Sequence, residues 1–272
     1  MKKIYLFLLV VVFNLQSTNL FSQSWNETTK AVAPERGERN YFGDAVAISG
    51  DYAIIGSTFD SKNYAGNDSL KAAGSAYIYK RNDLGSWEKH TKITPNQRTA
   101  DDRFGTKVTI SGDYAAVSST AHAYDVLGNN FKKQSGAVYI YEYNLRGDWT
   151  QIQKVVPSDR NSNDFFGGAI SMSGNYLVIG ASSDDEDATG GNRVEGSGSA
   201  YIFERNQDGF WVEVQKIVAS DRVFANHFGG SISISGNYII IGTANVDVDV
   251  AGENTFNEAG AAYIFEKNQD GV

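Results

Sequence analysis

The sequence has no cysteine, and among its 272 residues there are only 3 prolines, 3 histidines and 2 methionines. Without cysteine, neither disulfide bonds nor thiolate metal ligands can contribute, so the stability of the folded chain must come from packing. The few prolines and the 28 glycines, with no helical periodicity, indicate short strands joined by turns. We therefore expect an all-β protein.

Long hydrophobic runs are also lacking. The apolar stretch from Ile4 to Phe13 follows Lys2 and Lys3 and leads into a polar segment that ends at Ser22. It is about half as long as the roughly twenty residues of a membrane-spanning helix, and the layout is typical of a secretory signal peptide. We interpret residues 1–22 as a signal peptide and 23–272 as a secreted or cell-surface protein with no membrane insertion after cleavage. The alternative is an uncut N-terminal anchor.

Positive charge is in deficit, with 24 Lys and Arg against 32 Asp and Glu and a formal net charge of −8. Loss of Lys2 and Lys3 with the signal peptide takes the charge to about −10. Such a charge argues against nucleic acid and anionic membranes as partners. It suits either the binding of cations or simple solubility.

The sequence repeats at an interval of 62 residues. Residues 25–86, 87–148, 149–210 and 211–272 form four units that align without insertion or deletion. The repeat is marked by one tryptophan and one Phe-Gly pair per unit, which are Trp25, Trp87, Trp149 and Trp211, and Phe42-Gly43, Phe104-Gly105, Phe166-Gly167 and Phe228-Gly229. A repeat of this length predicts one supersecondary unit stacked on its copies.

Each unit is predicted to contain four strands. In the third unit, residues 166–173 alternate apolar and small side chains, and a Gly174-Asn175 turn leads to the apolar segment 176–179. A long loop then precedes the aromatic segment 198–203, and the last strand starts at a tryptophan. Because a four-stranded unit repeated radially is a propeller blade, we predict a β-propeller built from four 62-residue units.

Several segments resemble the FG-GAP repeat family, which is related to the integrin α-chain propeller. They are the Phe-Gly strand, the run from Ile170 to Ala181, Gly198 to Phe203, and Trp211 to Ile217. The resemblance covers 25–272 and implies a secreted bacterial type of extracellular recognition protein. The resemblance leaves two arrangements open: the Trp25 strand completes the last blade and closes the ring, or the four units are part of a larger propeller of about seven blades, which is the arrangement we favour.

A recurrent arginine lies four residues before an Asn or Asp that precedes each Phe-Gly pair. The pairs are Arg36 and Asn40, Arg98 and Asp102, Arg160 and Asp164, and Arg222 and Asn226. An arginine fork bonded to a carboxylate or amide can hold a connection between adjacent blades. We therefore predict an architectural role for this set.

The loop between the second and third strands repeats an Asx-x-x-Gly-x-Asx pattern, as in Asp125 to Asn130. Such oxygen ligands around a glycine suit calcium, but the same residues form Asx-turns without metal. The Asp-x-Asp-x-Asp-Gly calcium loop of integrin-type repeats is absent. If calcium binds, crowded carboxylates favour units three and four, with the ligands Asp184, Asp185, Asp187, Asn192, Asp247, Asp249 and Asn254.

No nucleophile elbow, phosphate loop or zinc-protease motif is found in the sequence, and the three histidines occupy different positions of the unit. We therefore expect a non-catalytic protein. The loops 57–73, 119–135, 181–197 and 243–259 differ most between units, so the leading hypothesis is a binding or adhesion module for an extracellular protein or glycan. The alternatives are a structural spacer and a carbohydrate-active enzyme with a composite carboxylate site.

Overall fold

The structure is a computed structural model that describes residues 25–35, 37–63, 65–66, 69–246 and 258–268. The predicted signal peptide lies outside these residues. The chain divides into two compact units after Lys30. In the first unit, residues 25–30 have no strand and Trp25 is exposed. The second unit, Ala31–Val272, contains all of the secondary structure that follows.

The described residues form 15 strands and no helix. Each four-stranded sheet consists of three strands from one repeat unit and the tryptophan strand from the next unit. The strands are β1 Phe42–Ser49, β2 Tyr52–Ser57, β3 Ser75–Arg81 and β4 Trp87–Ile93; β5 Phe104–Ser111, β6 Tyr114–Ser119, β7 Ala137–Tyr143 and β8 Trp149–Val155; β9 Ala169–Ser173, β10 Tyr176–Ala181, β11 Ser199–Arg205 and β12 Trp211–Ile217; β13 Ser231–Ser235, β14 Tyr238–Thr243 and β15 Ala261–Glu266.

The sheets are antiparallel meanders in which each strand pairs with the next one in sequence. We call them blades 1 to 4 in chain order. Blades 1 to 3 have four strands each, and blade 4 has three within the described residues. The predicted tight turn is present in blade 3, where Ser173 pairs with Tyr176 across Gly174-Asn175. These findings confirm the prediction of an all-β chain of blade-like units.

Consecutive blades are joined through their first strands, since β1 contacts β5, β5 contacts β9 and β9 contacts β13. The faces of the sheets stack on one another, and the core consists of the layers between them. One position shows the pattern: Ile54, Ala116 and Val178 are equivalent in blades 1, 2 and 3, and each is buried against the following blade. This serial stacking of meander sheets through their inner strands is the architecture of a β-propeller.

A close backbone contact joins consecutive blades at each Phe-Gly pair. Gly136 forms an isolated parallel bridge with Phe166, and the Phe166 amide donates to the Ser135 carbonyl at 3.1 Å. A Cβ atom on Gly136 would lie 2.0 Å from the Phe166 carbonyl oxygen, and the φ of Gly136 is +84°. Gly74 and Gly198 make the same bridge with Phe104 and Phe228. Only glycine fits this position, because both the space and the backbone conformation exclude a side chain.

We predict that Gly136→Ala lowers the free energy of unfolding by more than about 4 kcal/mol, because the methyl group would collide with a neighbouring backbone. The matched control is Gly174→Ala in the hairpin turn, where φ is +56° and no atom lies within 4 Å of the added Cβ. That change should cost only the strain of the left-handed conformation, about 1–2 kcal/mol. Urea denaturation of both variants measures the difference, and equal losses would contradict the close-approach explanation.

Candidate functional site: the long loops and their anchors

The long loops between the second and third strands are the candidate site. The loop of blade 2 follows β6 and the loop of blade 3 follows β10, so both start at the same end of the second strand of their blade. These two loops are described throughout. Tyr64, Asn67 and Asp68 of the blade 1 loop and residues 247–257 of the blade 4 loop lie outside the described residues.

The loops of blades 2 and 3 are folded around one carboxylate each. In blade 2, Asp125 Oδ1 accepts hydrogen bonds from the Leu127 amide at 2.9 Å and the Asn129 amide at 2.8 Å, and Oδ2 accepts one from Asn130 Nδ2 at 2.6 Å. Both carboxylate oxygens are therefore used within the loop. We call this arrangement the carboxylate cage.

Blade 3 repeats the cage with a different set of side chains. Asp187 Oδ1 accepts from the amides of Thr189 at 2.8 Å and Gly191 at 3.1 Å, and Oδ2 accepts from Asn192 Nδ2 at 2.5 Å. Hydrogen bonds from the Thr189 and Asn192 side chains and from the two amides hold the pKa of Asp187 well below its usual range. The geometry of both loops is that of an extended Asx-turn.

The recurrent arginine lies in the connection to the next blade and binds the long loop of the blade before it. Arg160 donates to the carbonyls of Ala123 at 3.0 Å and Asn130 at 3.2 Å in the blade 2 loop. Arg222 donates to the carbonyls of Asp185 at 2.6 Å and Asn192 at 3.0 Å in the blade 3 loop. The predicted architectural role is confirmed for Arg160 and Arg222, but their hydrogen bonds go to loop carbonyls and to Ser135 and Ser197 rather than to the Asp164 or Asn226 side chains four residues later.

A buried ion pair anchors the first residues of the blade 3 loop. Asp184 Oδ2 accepts from Ser199 Oγ at 2.5 Å and pairs with Lys216 Nζ at 2.7 Å, and the Tyr201 hydroxyl lies 2.7 Å from it. Lys216 also pairs with Asp159 at 2.6 Å. Burial opposes ionisation of Asp184, but the hydrogen bonds from Lys216 and Ser199 still hold its pKa below the ordinary value.

Blade 1 contains the same anchor, in which Asp60 Oδ2 bonds to Ser75 at 2.7 Å, Tyr77 at 3.0 Å and Lys92 at 3.0 Å. Glu35 occupies the place of Asp159, 3.2 Å from Lys92. The pKa of Tyr77 is raised, first by burial and then by the charge of Asp60. Blades 1 and 3 therefore share a buried Asp–Lys–Tyr–Ser anchor below the loop.

Blade 2 replaces this anchor. His122 stands at the position of Asp184, and its Nδ1 lies 3.0 Å from Asp102 Oδ2 with both groups buried. Ala137 replaces the serine. Lys154 has no carboxylate at the His122 position to pair with and donates to the Asp125 carbonyl at 2.6 Å. Burial lowers the pKa of Lys154 to about 8.

The predicted calcium ligands of the blade 3 loop are brought near one another but have other partners. Asp184 lies buried in the anchor, Asp185 pairs with Arg193 and accepts from the Gly196 amide, and Asp187 and Asn192 bond to each other. Among the described residues, no group of three or more Asp, Glu or His side chains is placed to hold a metal ion. Asp247, Asp249 and Asn254 lie outside the described residues, and calcium binding stays a prediction.

Sequence reasoning missed the role of Lys216 and Tyr201 as partners of Asp184. The signal was available in the repeat, because Tyr77, Tyr139 and Tyr201 and also Lys92, Lys154 and Lys216 recur at 62-residue intervals. Trp149 and Trp211, at the start of the outer strands, are buried beside Tyr52 and Tyr114 of the preceding blade and so pack between blades.

Four serially stacked meander sheets define a β-propeller repeat protein. The model of the FG-GAP repeat family matches residues 25–79, 87–141, 149–203 and 211–265, and the chain belongs to this family. The family is typically extracellular. Among the described residues, we find no helix with the length and hydrophobicity needed to cross a membrane.

Among solved structures, the chain is similar to the crystal structure of a protein from Lactobacillus plantarum, with 15% sequence identity and a TM-score of 0.44. The similarity covers 81% of this chain and 58% of that one, so the chain spans little more than half of that protein's length. No curated protein matches the sequence.

We predict that Lys216→Met costs about 3–5 kcal/mol of stability, because it leaves the carboxylate of Asp184 buried without its cation. The matched control is Lys154→Met at the equivalent position of blade 2, where the ammonium donates to the Asp125 backbone carbonyl and lies over the Tyr139 ring. Because burial already disfavours the charged form of Lys154, that change should cost less than about 1 kcal/mol. Urea denaturation at pH 7 compares the two variants. Equal losses would show that the anchor contributes nothing beyond packing.

Proposed function

We propose that the protein is an exported, non-catalytic binding module whose long loops contact an extracellular protein or glycan. Membership of the FG-GAP repeat family and the propeller fold support a repeat scaffold of extracellular type. The observation that carries the proposal is that the loops of blades 2 and 3 share one frame but display different side chains. Loops that share one backbone frame but carry different exposed side chains are common in recognition proteins.

The frame consists of the carboxylate cage and the hydrogen bonds that the recurrent arginine, Arg160 or Arg222, donates to the loop carbonyls. It is the same in both loops. The displayed residues differ in chemistry. Blade 2 exposes the apolar side chains of Val126, Leu127 and Phe131, while the equivalent residues of blade 3 are Ala188, Thr189 and Arg193.

The blade 2 loop has the features of a contact surface. The ring of Phe131 packs against that of Tyr124, with centroids 5.5 Å apart, yet most of Phe131 remains exposed. An aromatic side chain that is held in place and exposed loses little conformational entropy when it binds. Exposed apolar side chains grouped on one loop are also the usual anchors of protein interfaces.

The test replaces three exposed side chains of the blade 2 loop by the equivalent residues of the blade 3 loop. The triple variant Val126→Ala, Leu127→Thr and Phe131→Arg leaves Asp125, Gly128 and Asn130 unchanged, so the loop should keep its shape. We expect retention of the labelled protein on washed cells of the exporting culture to fall at least about tenfold, because interface anchors are often worth more than 1.4 kcal/mol each.

The matched control is Leu84→Arg, which transplants the residue of blade 2 onto an exposed turn of blade 1 that is not part of the long loops. It should leave retention unchanged, and circular dichroism should show the same fold for both variants. If the triple variant binds as well as the parent protein, the loop is not the contact surface. A parent protein that is not retained at all would instead favour the structural spacer.

A further inference from the structure

The outer strands β4, β8 and β12 carry one lysine each at the same position of the repeat, and these are Lys92, Lys154 and Lys216. In blades 1 and 3, the ammonium lies between two carboxylates. The Nζ atom of Lys92 is 3.0 Å from Asp60 and 3.2 Å from Glu35. The Nζ atom of Lys216 is 2.7 Å from Asp184 and 2.6 Å from Asp159. The charge of each of these two lysines is therefore balanced from two sides.

Blade 2 has neither of these carboxylates. His122 stands at the position of the first one, and the neutral Gln97 stands at the position of the second. The carboxylate of Asp102 lies 3.0 Å from Nδ1 of the His122 ring. Lys154 donates instead to the backbone carbonyl of Asp125 at 2.6 Å. The ammonium of Lys154 therefore lacks both of the counter-ions that its equivalents have.

Two other polar groups of this anchor are buried without a hydrogen-bond partner among the described residues. They are the Tyr139 hydroxyl and His122 Nε2, in residues that are 1% and 3% exposed. The equivalent tyrosines, Tyr77 and Tyr201, bond to the same aspartate oxygen as the lysine of their blade. Lys154 Nζ lies 5.9 Å from the Tyr139 ring centroid, close to the 5.4 Å and 5.3 Å of the other two blades. In blade 2, the hydroxyl and the ammonium thus face one point and share no protein acceptor there.

The surroundings of Lys154 favour its neutral form. Burial is the largest effect and lowers the pKa of the amine; the charge of Asp102 raises it, that of Arg160 lowers it and that of Asp125 raises it, and the resulting pKa is about 8. At pH 7.5, about a quarter of the Lys154 side chains are then neutral amines, against about one in a thousand for an ordinary lysine. In Lys216, burial also opposes the charge, but the two carboxylates hold the pKa above its ordinary value.

A neutral lysine amine is a nucleophile that forms imines with carbonyl compounds. Lys154 is half-buried, so a small reactant reaches it more easily than a large one. The amine can donate one N–H to the Asp125 carbonyl and still present its lone pair to a carbon atom. An aldehyde at this point would also supply an oxygen acceptor for the Tyr139 hydroxyl.

We propose that Lys154 is a site of covalent attachment for small aldehydes, which it binds as a Schiff base on Nζ. The amine adds to the aldehyde carbon, and one of its protons moves to the oxygen. The resulting hydroxyl leaves with the second amine proton as water, so that a C=N bond replaces the C=O bond. No oxidant or reductant is needed. This site is independent of the binding proposed for the long loops.

The experiment incubates the folded protein at pH 7.5 with glycolaldehyde and sodium cyanoborohydride, which reduces an imine to a stable secondary amine. Peptide mass mapping then measures the hydroxyethyl group on each lysine. We expect Lys154 to be modified at least about tenfold faster than Lys92, Lys216 and the exposed Lys89, because a larger fraction of it is neutral. The N-terminal amine, whose ordinary pKa is about 8, reports that the reagents are active.

The variant Gln97→Glu tests the cause of this reactivity. Gln97 is exposed, so the variant should melt like the parent protein, and the new carboxylate takes the place that Glu35 has beside Lys92. We expect the rate at Lys154 to fall at least about fivefold, since an opposite charge nearby raises the pKa of an amine. The matched control is Gln207→Glu, which adds the same charge on an exposed turn of blade 3 and should leave the rate unchanged.

Three results would each overturn the proposal. The first is a rate at Lys154 no higher than that at Lys89. The second is an unchanged rate at Lys154 in Gln97→Glu. The third is an equal fall in Gln207→Glu, because the reactivity would then follow the net charge of the protein rather than the missing counter-ions.

Discussion

The structure depends on the close approach of two backbones where one blade meets the next. Gly74, Gly136 and Gly198 lie directly against the phenylalanines that start the following blades, with no room for a Cβ atom. This contact sets the distance between sheets, and the apolar side chains of both faces then fill the layer between them. Since the same contact recurs at a fixed interval, every blade presents its loops and edges in the same way.

The scaffold holds the loops in place through buried polar groups. These groups are paired with one another, because burying them unpaired would be costly. In blades 1 and 3, an aspartate below the loop is neutralised by a lysine and bonded to a serine hydroxyl, with a tyrosine hydroxyl beside it. In blade 2, a buried pair of His122 and Asp102 takes the place of this anchor, and Ala137 occupies the position of the serine. The anchors differ, yet the carboxylate cages above them in blades 2 and 3 are alike. The frame of the loop therefore tolerates changes both below it and in the side chains that it displays.

Much of the fold could be predicted from the sequence, because the period of 62 residues made each strand visible four times. The first strands of blades 1 and 2, the hairpin turn at Gly174 and the tryptophan strands β4, β8 and β12 are found where the repeat placed them. In blades 3 and 4 the first strand starts three residues after the phenylalanine, at Ala169 and Ser231, and residues 25–30 form no strand. The loops could not be predicted to the same depth. The pattern around Asp187 fits both a calcium loop and an Asx-turn, since both need oxygen atoms around a glycine. The partner of Asp184 was missed because Lys216 is distant in sequence and reaches it only when β12 packs beside β11.

The loops hold their shape through their own hydrogen bonds and through the scaffold. The most direct measurement is amide hydrogen exchange at Leu127, Asn129, Thr189 and Gly191, made in the presence of a calcium chelator. Because each of these amides donates to a cage carboxylate, we expect them to exchange far more slowly than amides of an unstructured peptide. Exchange at the unstructured rate, slowed only when calcium is added, would contradict it.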